Sequence, residues 1–261
     1  MEKLVIVFSG KKQSGKSAAC KFILSYYINQ LLGVDRFSVI NKNKSTYIHD
    51  SFDNSIIDIE SDRNAVQTLE STYKTRVYSF ADKLKQICID VLGLDVRQCY
   101  GADRDKNTNT HITWDRMPPD IRQKYKRPRR GTGEVLEASG YMSGREIMQV
   151  IGSDFFRKLD NSCWARGTYN TIFNDSNKLI CVSDARFPNE VTMGTERNAK
   201  VIRLLRNSSA KEDNHISETA LDDFPLGEYS LVIDNKNLSM KETHNILKSY
   251  LDQWLKDYDI L

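Results

Sequence analysis

Residues 10–17 read Gly-Lys-Lys-Gln-Ser-Gly-Lys-Ser, a full match to the pattern G-x-x-x-x-G-K-[ST]. Glycines let such a loop curl until successive N–H groups point at one anion, and the helix that follows presents its positive dipole end to it. We predict that Lys16 reaches the β- and γ-phosphates of a nucleoside triphosphate and that Ser17 ligates Mg²⁺. The predicted ATP-binding residues are Gly10, Lys11, Lys12, Gln13, Ser14, Gly15, Lys16 and Ser17.

Charged residues also follow other predicted strands, at the edge where open α/β sheets bind ligands. Lys85 lies in the first turns of the helix after the strand 76–80, and it is either a holder of an acceptor phosphate or a solvated helix lysine. Arg145 and Arg157 lie on either side of segment 149–153, and arginines converge where phosphoryl transfer spreads negative charge. For either arginine taken alone, a surface position on a helix is a fair alternative.

The segment 184–190 reads Asp-Ala-Arg-Phe-Pro-Asn-Glu and follows the apolar strand 179–182. Asp184 therefore occupies a strand end from which a carboxylate can hold Mg²⁺ through water. Trp164 is interpreted as a platform for a nucleotide base, and a buried core tryptophan fits equally well. His215 has no second ligand at metal spacing, so the sequence predicts no metal site there.

The composition is that of an ordinary globular protein: of 261 residues, 39% are hydrophobic and 28% are charged. A net charge of +3 is too small to predict general nucleic-acid binding. Five cysteines without a CxxC pair favour a reducing, cytoplasmic location over disulfides or zinc. The first predicted strand begins at once, which predicts no signal peptide, and no apolar run reaches the length of a membrane span.

Apolar runs and helical periodicities alternate along the chain. Strands are predicted at 4–8, 76–80, 179–182, 200–205 and 230–233, and helices at 18–32, 82–92, 143–151, 154–159, 164–173, 190–199 and 239–258. This alternation indicates an α/β fold with a parallel, doubly wound sheet flanked by helices. We predict one domain over 1–261 with insertions near 34–72, where two short runs suggest a β-hairpin, and near 101–141.

The second insertion contains a basic cluster, formed by Lys124, Lys126, Arg127, Arg129 and Arg130. A long polar loop inside an α/β domain is usually functional or disordered. One interpretation is a mobile segment near an anionic substrate. The other is a solvated charge run, which the general behaviour of like-charged blocks favours.

Eight segments carry the motifs of the chain in order: 10–17, 79–85, 100–108, 144–154, 183–190, 201–206, 215–218 and 232–235. Together they resemble the bacteriophage deoxynucleoside monophosphate kinases and cover most of the chain. The resemblance implies a P-loop nucleoside-monophosphate-kinase fold and an ATP- and Mg²⁺-dependent conversion of dNMP to dNDP in phage dNTP synthesis, in the host cytoplasm. It also suggests a homodimer.

The resemblance further implies that the deoxynucleotide pocket contains Lys85, Gly152, Ser153, Trp164, Asp184, Arg186 and Glu190. Asp184 thus has two interpretations, a magnesium ligand from its spacing and an acceptor contact from the resemblance. We predict Lys16, Arg145 and Arg157 as catalytic residues, because cations must offset the repulsion between two anionic substrates. The segment around Arg157 is the expected mobile lid.

Two alternatives stay open. A dephospho-coenzyme A kinase or a phosphomevalonate kinase would share the loop and much of the scaffold. A non-enzymatic nucleotide- or nucleic-acid-binding module is the second alternative, and the basic cluster is its only support.

Overall fold

The computed structural model describes residues 3–42, 45–59, 62–128, 134–206 and 219–261. The chain divides into two compact units. The sheet unit comprises Met1–Phe80 and Ala165–Leu261, and the inserted unit comprises Ala81–Trp164. The single domain over 1–261 stays a prediction, and the 215–218 motif with His215 lies outside the described residues.

The strands and helices of the described residues are numbered here in chain order. The strands are β1 (Leu4–Ser9), β2 (Phe37–Lys42), β3 (Ser45–Asp50), β4 (Ile56–Ile57), β5 (Thr75–Tyr78), β6 (Asn109–Thr113), β7 (Arg127–Pro128), β8 (Val135–Leu136), β9 (Tyr141–Ser143), β10 (Leu179–Ala185), β11 (Lys200–Leu204) and β12 (Leu231–Ile233). The helices are α1 (Lys16–Leu32), α2 (Arg63–Tyr73), α3 (Asp82–Asp90), α4 (Val96–Tyr100), α5 (Asp103–Lys106), α6 (Pro119–Lys124), α7 (Gly144–Gln149), α8 (Arg157–Leu159), α9 (Cys163–Asn174), α10 (Pro188–Thr195) and α11 (Met240–Asp257). A π-helical stretch (Val150–Phe156) joins α7 to α8, and single 3₁₀ turns occupy Trp114–Arg116 and Leu226–Glu228.

Five strands of the sheet unit form one sheet in the order β12-β11-β1-β10-β5, and every neighbouring pair is parallel. β1 is buried along its whole length because both of its faces are covered. Leu4, Ile6 and Phe8 pack in a core with α1 and α11, while Val5 and Val7 pack in a second core with α9 and α10. The predicted α/β class, with a parallel sheet flanked by helices, is confirmed.

The first insertion contains more structure than the sequence predicts. β2, β3 and β4 form a three-stranded antiparallel sheet in place of the expected hairpin, and α2 follows in a stretch expected to be irregular. Asp50 at the end of β3 accepts from both the Nε and the Nη2 of Arg36, at 2.8 and 2.5 Å. This two-bond pair fixes the base of the β2–β3 ladder, where Arg36 lies just before β2.

The inserted unit has a hydrophobic core of its own around Trp114, which is fully buried. Helices α3, α4 and α7 surround this core, and β6 pairs with β9 beside it. Ser143 caps α7 in a capping box with Glu146, as the sequence predicts. Among the helices that lie within the described ranges, none is long and apolar enough to cross a bilayer.

His244 of α11 is buried against α1, where its ring stacks on that of Phe22 with centroids 4.3 Å apart. Burial lowers the pKa of His244 from 6.5 to about 4. Between these values the unfolded chain binds a proton that the folded chain does not, so the free energy of unfolding decreases as the pH falls. We expect His244 to account for a loss of about 2 kcal/mol between pH 6.5 and 4.5, measurable by denaturant unfolding.

The matched variants for this prediction are His244→Phe and His111→Phe, since His111 is exposed. His244→Phe should lose this part of the pH dependence, and His111→Phe should keep it. Equal pH dependence in the parent protein and His244→Phe would show that His244 does not titrate in this way.

Candidate functional site

The P-loop (residues 10–17) connects the carboxyl end of β1 to the first turn of α1. Gly15 caps α1 with a left-handed backbone at φ 100°. A Cβ atom on Gly10 would lie 2.5 Å from Ser14 Oγ and 2.8 Å from Leu204 O, so the loop closes tightly against itself and against β11. A curled backbone at a helix N-terminus is the geometry with which proteins bind phosphate.

Lys16 is 8% exposed, and its Nζ donates to Gly10 O and Lys11 O, both at 2.7 Å. The pKa of Lys16 is lowered to about 7, first by burial and then by the charge of Arg186, which the charge of Asp184 partly opposes. The lysine of the motif therefore lies close enough to Asp184 and Arg186, at the end of β10, for their charges to influence it.

Asp184 ties the carboxyl ends of two strands together. Its Oδ2 accepts from Ser79 Oγ at 2.6 Å and its Oδ1 accepts from the Phe80 N–H at 2.7 Å, so it joins the end of β5 to β10. Asp184 thus helps to build the sheet edge beside the P-loop. Its contact with Mg²⁺ or with an acceptor stays a prediction.

Glu190 folds the turn that carries Arg186. Glu190 is 2% exposed, and its Oε2 accepts from the N–H groups of Arg186 at 2.7 Å and of Phe187 at 3.1 Å. Its carboxylate therefore accepts from two N–H groups at the start of α10. The structure thus gives Glu190 a local role in positioning Arg186, whereas its predicted contact with a deoxynucleotide is not tested by these bonds.

Asn235 supports the P-loop from behind and was not predicted as a site residue. It is 1% exposed, its Nδ2 donates to Ser14 O at 2.9 Å, and its Oδ1 accepts from the Arg206 N–H at 2.9 Å. Arg203 on β11 was likewise not predicted, and its Nη1 donates to Ser9 Oγ at 2.9 Å. Both residues lie in segments that carry the family resemblance, which was the available signal for them.

The site fits Mg²⁺ only if the substrate supplies most of the ligands. Within the parts of the chain that the structure describes, no group of three or more His, Cys, Asp or Glu residues could hold a metal ion. Mg²⁺ in phosphate-transfer sites is typically held by one or two protein ligands, waters and substrate phosphates. Ser17 is exposed in the first turn of α1, and Ser14 Oγ is buried with no hydrogen-bond partner among the described residues. Ser17 and the phosphates of a bound triphosphate are therefore the ligands that fit Mg²⁺ at this site.

Lys85 and Gly152, two predicted acceptor residues, lie in the inserted unit. Lys85 Nζ is 3.7 Å from Asp82 Oδ1 and lies 4.5 Å from the ring centroid of Tyr100. A Cβ atom on Gly152 would lie 2.8 Å from Leu84 Cδ2, the end of a flexible side chain, so the π-helical stretch packs closely against α3 at this glycine. Both acceptor roles stay predictions.

Trp164 is 6% exposed, and its Nε1 donates to Gly152 O at 3.0 Å. Its ring lies 5.0 Å from that of Phe156, centroid to centroid. The indole is therefore a packed and hydrogen-bonded side chain of the inserted unit, which agrees with the core alternative. Ser153 lies half-buried in the same π-helical stretch.

Arg145 and Arg157, the two predicted catalytic arginines, also lie in the inserted unit. Arg145 Nη2 donates to Asp103 Oδ1 at 2.6 Å and its Nε donates to Asn107 Oδ1 at 3.0 Å. Arg157 Nη1 donates to Asn161 O at 3.0 Å. The charge of Arg145 is thus offset by a carboxylate, and the catalytic role of either residue stays a prediction.

The basic cluster is in part an internal feature of the inserted unit. Lys124 forms an ion pair with the buried Asp154, which also accepts from Tyr125 Oη at 2.8 Å. Arg129 and Arg130 lie outside the described residues. The bond to Asp154 gives Lys124 a structural role and weakens the support for a nucleic-acid-binding module.

A cavity of about 800 Å³ opens at the opposite, amino-terminal edge of the sheet. Three of its four basic side chains are held by the protein itself. Lys3 Nζ donates to Ile172 O at 2.6 Å, Arg197 lies over the rings of Tyr169 and Phe173, and Lys200 lies over the rings of Trp254 and Tyr258. These contacts pack the strand ends, whereas ligands of open parallel sheets bind at the other edge.

The chain is similar to known nucleotide kinases over most of its length. Residues 3–243 match the model of the family described as deoxynucleotide monophosphate kinase. A protein of Acanthamoeba polyphaga mimivirus named "Putative deoxynucleotide monophosphate kinase" is 27% identical over 188 residues. That match covers 67% of this chain and 81% of the viral protein.

Proposed function

The chain belongs to the deoxynucleotide monophosphate kinase family, and on that premise we propose that it transfers the γ-phosphate of ATP to a deoxynucleoside monophosphate. The products are ADP and a deoxynucleoside diphosphate. The enzyme is thus a phosphotransferase whose acceptor group is itself a phosphate.

One observation carries the proposal: the P-loop curls between the carboxyl end of β1 and the first turn of α1, and the buried Lys16 is held over it by Gly10 O and Lys11 O. Arg203 on β11 donates to Ser9 at the start of the loop, and Arg186 follows the end of β10, so each strand that flanks β1 brings an arginine to this edge. Two anionic substrates must approach each other for phosphoryl transfer, and fixed positive charge is what offsets their repulsion.

The chemistry assigned to the sheet unit is electrostatic. N–H groups of the P-loop and Lys16 bind the β- and γ-phosphates and hold the γ-phosphorus in line with the acceptor oxygen. Arg186 stabilises the charge that spreads over the transferring oxygens. Mg²⁺, when bound, would neutralise charge on the β- and γ-phosphates, with Ser17 as its protein ligand. No side-chain base is needed, because the attacking phosphate oxygen is already ionised.

The resemblance supports seven residues as candidates for acceptor recognition. Lys85, Gly152, Ser153 and Trp164 belong to the inserted unit, and Asp184, Arg186 and Glu190 belong to the sheet unit. Of these seven residues, we assign only Arg186 to direct contact with the acceptor phosphate. We assign Asp184 and Glu190 to holding the strand end and the turn, since their hydrogen bonds to Phe80 and to Arg186 support that role.

The setting of the reaction is also part of the proposal. The resemblance to phage enzymes supports dNTP synthesis in the cytoplasm of an infected cell, and it supports a homodimer. Light scattering after size-exclusion chromatography measures the oligomeric state, and a monomer mass would contradict the dimer.

A substrate panel tests the function. ADP release is measured by a coupled assay with ATP and each of the four common deoxynucleoside monophosphates, dephospho-coenzyme A and phosphomevalonate. We expect turnover with at least one deoxynucleoside monophosphate. Turnover with only dephospho-coenzyme A or phosphomevalonate would replace this proposal with the related kinase.

Arg157→Ala is expected to lower kcat by about tenfold or more, because the variant lacks a positive charge that stabilises the transition state. The matched control is Lys158→Ala, because Lys158 is the adjacent cation and is largely exposed, 3.7 Å from Asp120 Oδ2. Steady-state ADP release measures both variants. Equal kcat values for the parent protein and Arg157→Ala would remove Arg157 from the catalytic residues.

A further inference from the structure

Arg203 is a buried cation directly beside the start of the P-loop. It lies on β11 in register with Ser9, the last residue of β1, and it is 7% exposed. Its Nη1 donates to Ser9 Oγ at 2.9 Å, and its Nη2 lies 3.4 Å from Leu221 O. The guanidinium therefore holds the final residue before Gly10 from the neighbouring strand.

The charge of Arg203 is not matched by an acid in the described parts of the chain. Among the described residues Arg203 forms no ion pair, and its Nε is buried without a hydrogen-bond partner there. The aromatic neighbour is Tyr229, whose ring centroid is 5.9 Å from Arg203 Cζ. A buried ion is normally paired, because removal from water costs several kcal/mol. Arg203 lies beside a phosphate-binding loop, where a bound phosphate can supply the counter-charge that the described residues do not.

The neighbouring contacts place that ligand at the P-loop. The field of Arg203 acts on Lys16. The next residue of β11 is Leu204, whose carbonyl would lie 2.8 Å from a Cβ atom on Gly10. Arg203 contacts the carbonyl of Leu221, and the next residue, Asp222, forms an ion pair with Lys11 of the loop at 3.0 Å. The surroundings of Arg203 are thus those of the P-loop itself.

We propose that Arg203 is a positioning residue for the donor triphosphate: it fixes Ser9 at the start of the P-loop and supplies a buried positive charge that the bound phosphates offset. This inference rests on the proposed function of the P-loop. It concerns phosphate binding, so it can be tested without turnover of any acceptor.

The proposal makes opposite predictions for stability and for binding. Arg203→Met removes a buried charge that no described residue pairs and replaces it with a shorter, apolar side chain, so the ligand-free protein should keep or raise its melting temperature. The same variant should bind inorganic tripolyphosphate and ATP about thirtyfold more weakly, the effect of one charge about 8 Å away at an effective dielectric constant of about 20. Isothermal titration measures the affinity, and scanning calorimetry measures the melting temperature with and without tripolyphosphate.

Two further variants complete the test. Arg203→Lys keeps the charge and should recover most of the tripolyphosphate affinity. Arg76→Met is the matched control: Arg76 lies on β5 and has acidic partners, with Glu70 at 3.4 Å and Asp175 at 3.8 Å, so its removal should leave tripolyphosphate binding unchanged.

Unchanged tripolyphosphate affinity in Arg203→Met would overturn the proposal. A lower melting temperature of Arg203→Met, together with no recovery of tripolyphosphate binding in Arg203→Lys, would overturn it as well. A parent protein that does not bind tripolyphosphate would overturn it too. Failure of the kinase proposal would look different, because tripolyphosphate would still bind in an Arg203-dependent way while every deoxynucleoside monophosphate failed to give ADP.

Discussion

Lys16→Met is expected to lower kcat with ATP and a deoxynucleoside monophosphate by about 100- to 1000-fold, the effect of losing one transition-state hydrogen-bond donor. The amine is held over the P-loop by Gly10 O and Lys11 O, so its position is fixed before the substrate arrives. A fixed donor is worth more than a mobile one, because it needs no reorganisation as charge moves onto the γ-phosphate oxygens. Steady-state ADP release measures the effect.

Lys21→Met is the matched control for this prediction. Lys21 is also a buried lysine of α1, at 2% exposure, but its Nζ donates to Thr46 O, away from the P-loop. Its replacement should lower the melting temperature and leave kcat within about threefold. If both variants lost activity equally, the effect of Lys16 would be one of folding and not of phosphate binding.

Gly10→Ala is expected to lower kcat/KM for ATP by about 100-fold, the usual scale for a displacement of about 1 Å in a site. The new methyl group would meet Ser14 Oγ at 2.5 Å and Leu204 O at 2.8 Å. Leu204 O is backbone and cannot rotate away, so the loop has to move. We also expect a loss of about 1–3 kcal/mol of stability from this overpacking, measured by denaturant unfolding.

Gly167→Ala separates a general effect of alanine from the effect on the P-loop. Gly167 lies inside α9, and a Cβ atom there would meet nothing within 4 Å. Alanine favours a helix interior over glycine by about 1 kcal/mol, so this variant should be slightly more stable and equally active. A Gly10→Ala protein with the parent kcat/KM would show that the loop tolerates the shift.

The sequence predicted the sheet because its strands are apolar on both faces. β1 is buried at every residue, and β10 and β11 are buried at all but two residues and one residue, respectively; such runs are typical of the central strands of a covered parallel sheet. The sheet of the first insertion was predicted only in part: the two predicted runs correspond to β2 and β4, and β3 was missed because it is a half-exposed strand without a clear apolar period. α2 was missed although its sequence carries local signals of a helix, since Val66, Leu69 and Tyr73 have helical spacing and Asp62 caps the first turn.

The site was predictable where one segment carries the chemistry, and not where two distant segments meet. Lys16 and its loop follow from a local pattern with a physical meaning. Arg203 and Asn235 act on residues 194 and 221 positions away, at Ser9 and Ser14. Such pairs depend on the order of strands in the sheet, which composition and periodicity do not contain.

The hydrogen bond from Asn235 to Ser14 joins two parts of the chain that lie 221 residues apart. The motif at residues 10–17 therefore emerges from the ribosome more than 200 residues before the amide that holds Ser14 O. A nascent chain that stops before Asn235 displays the motif without this support. The eight residues are thus not a self-contained cassette, because the folded loop depends on a residue that is synthesised much later.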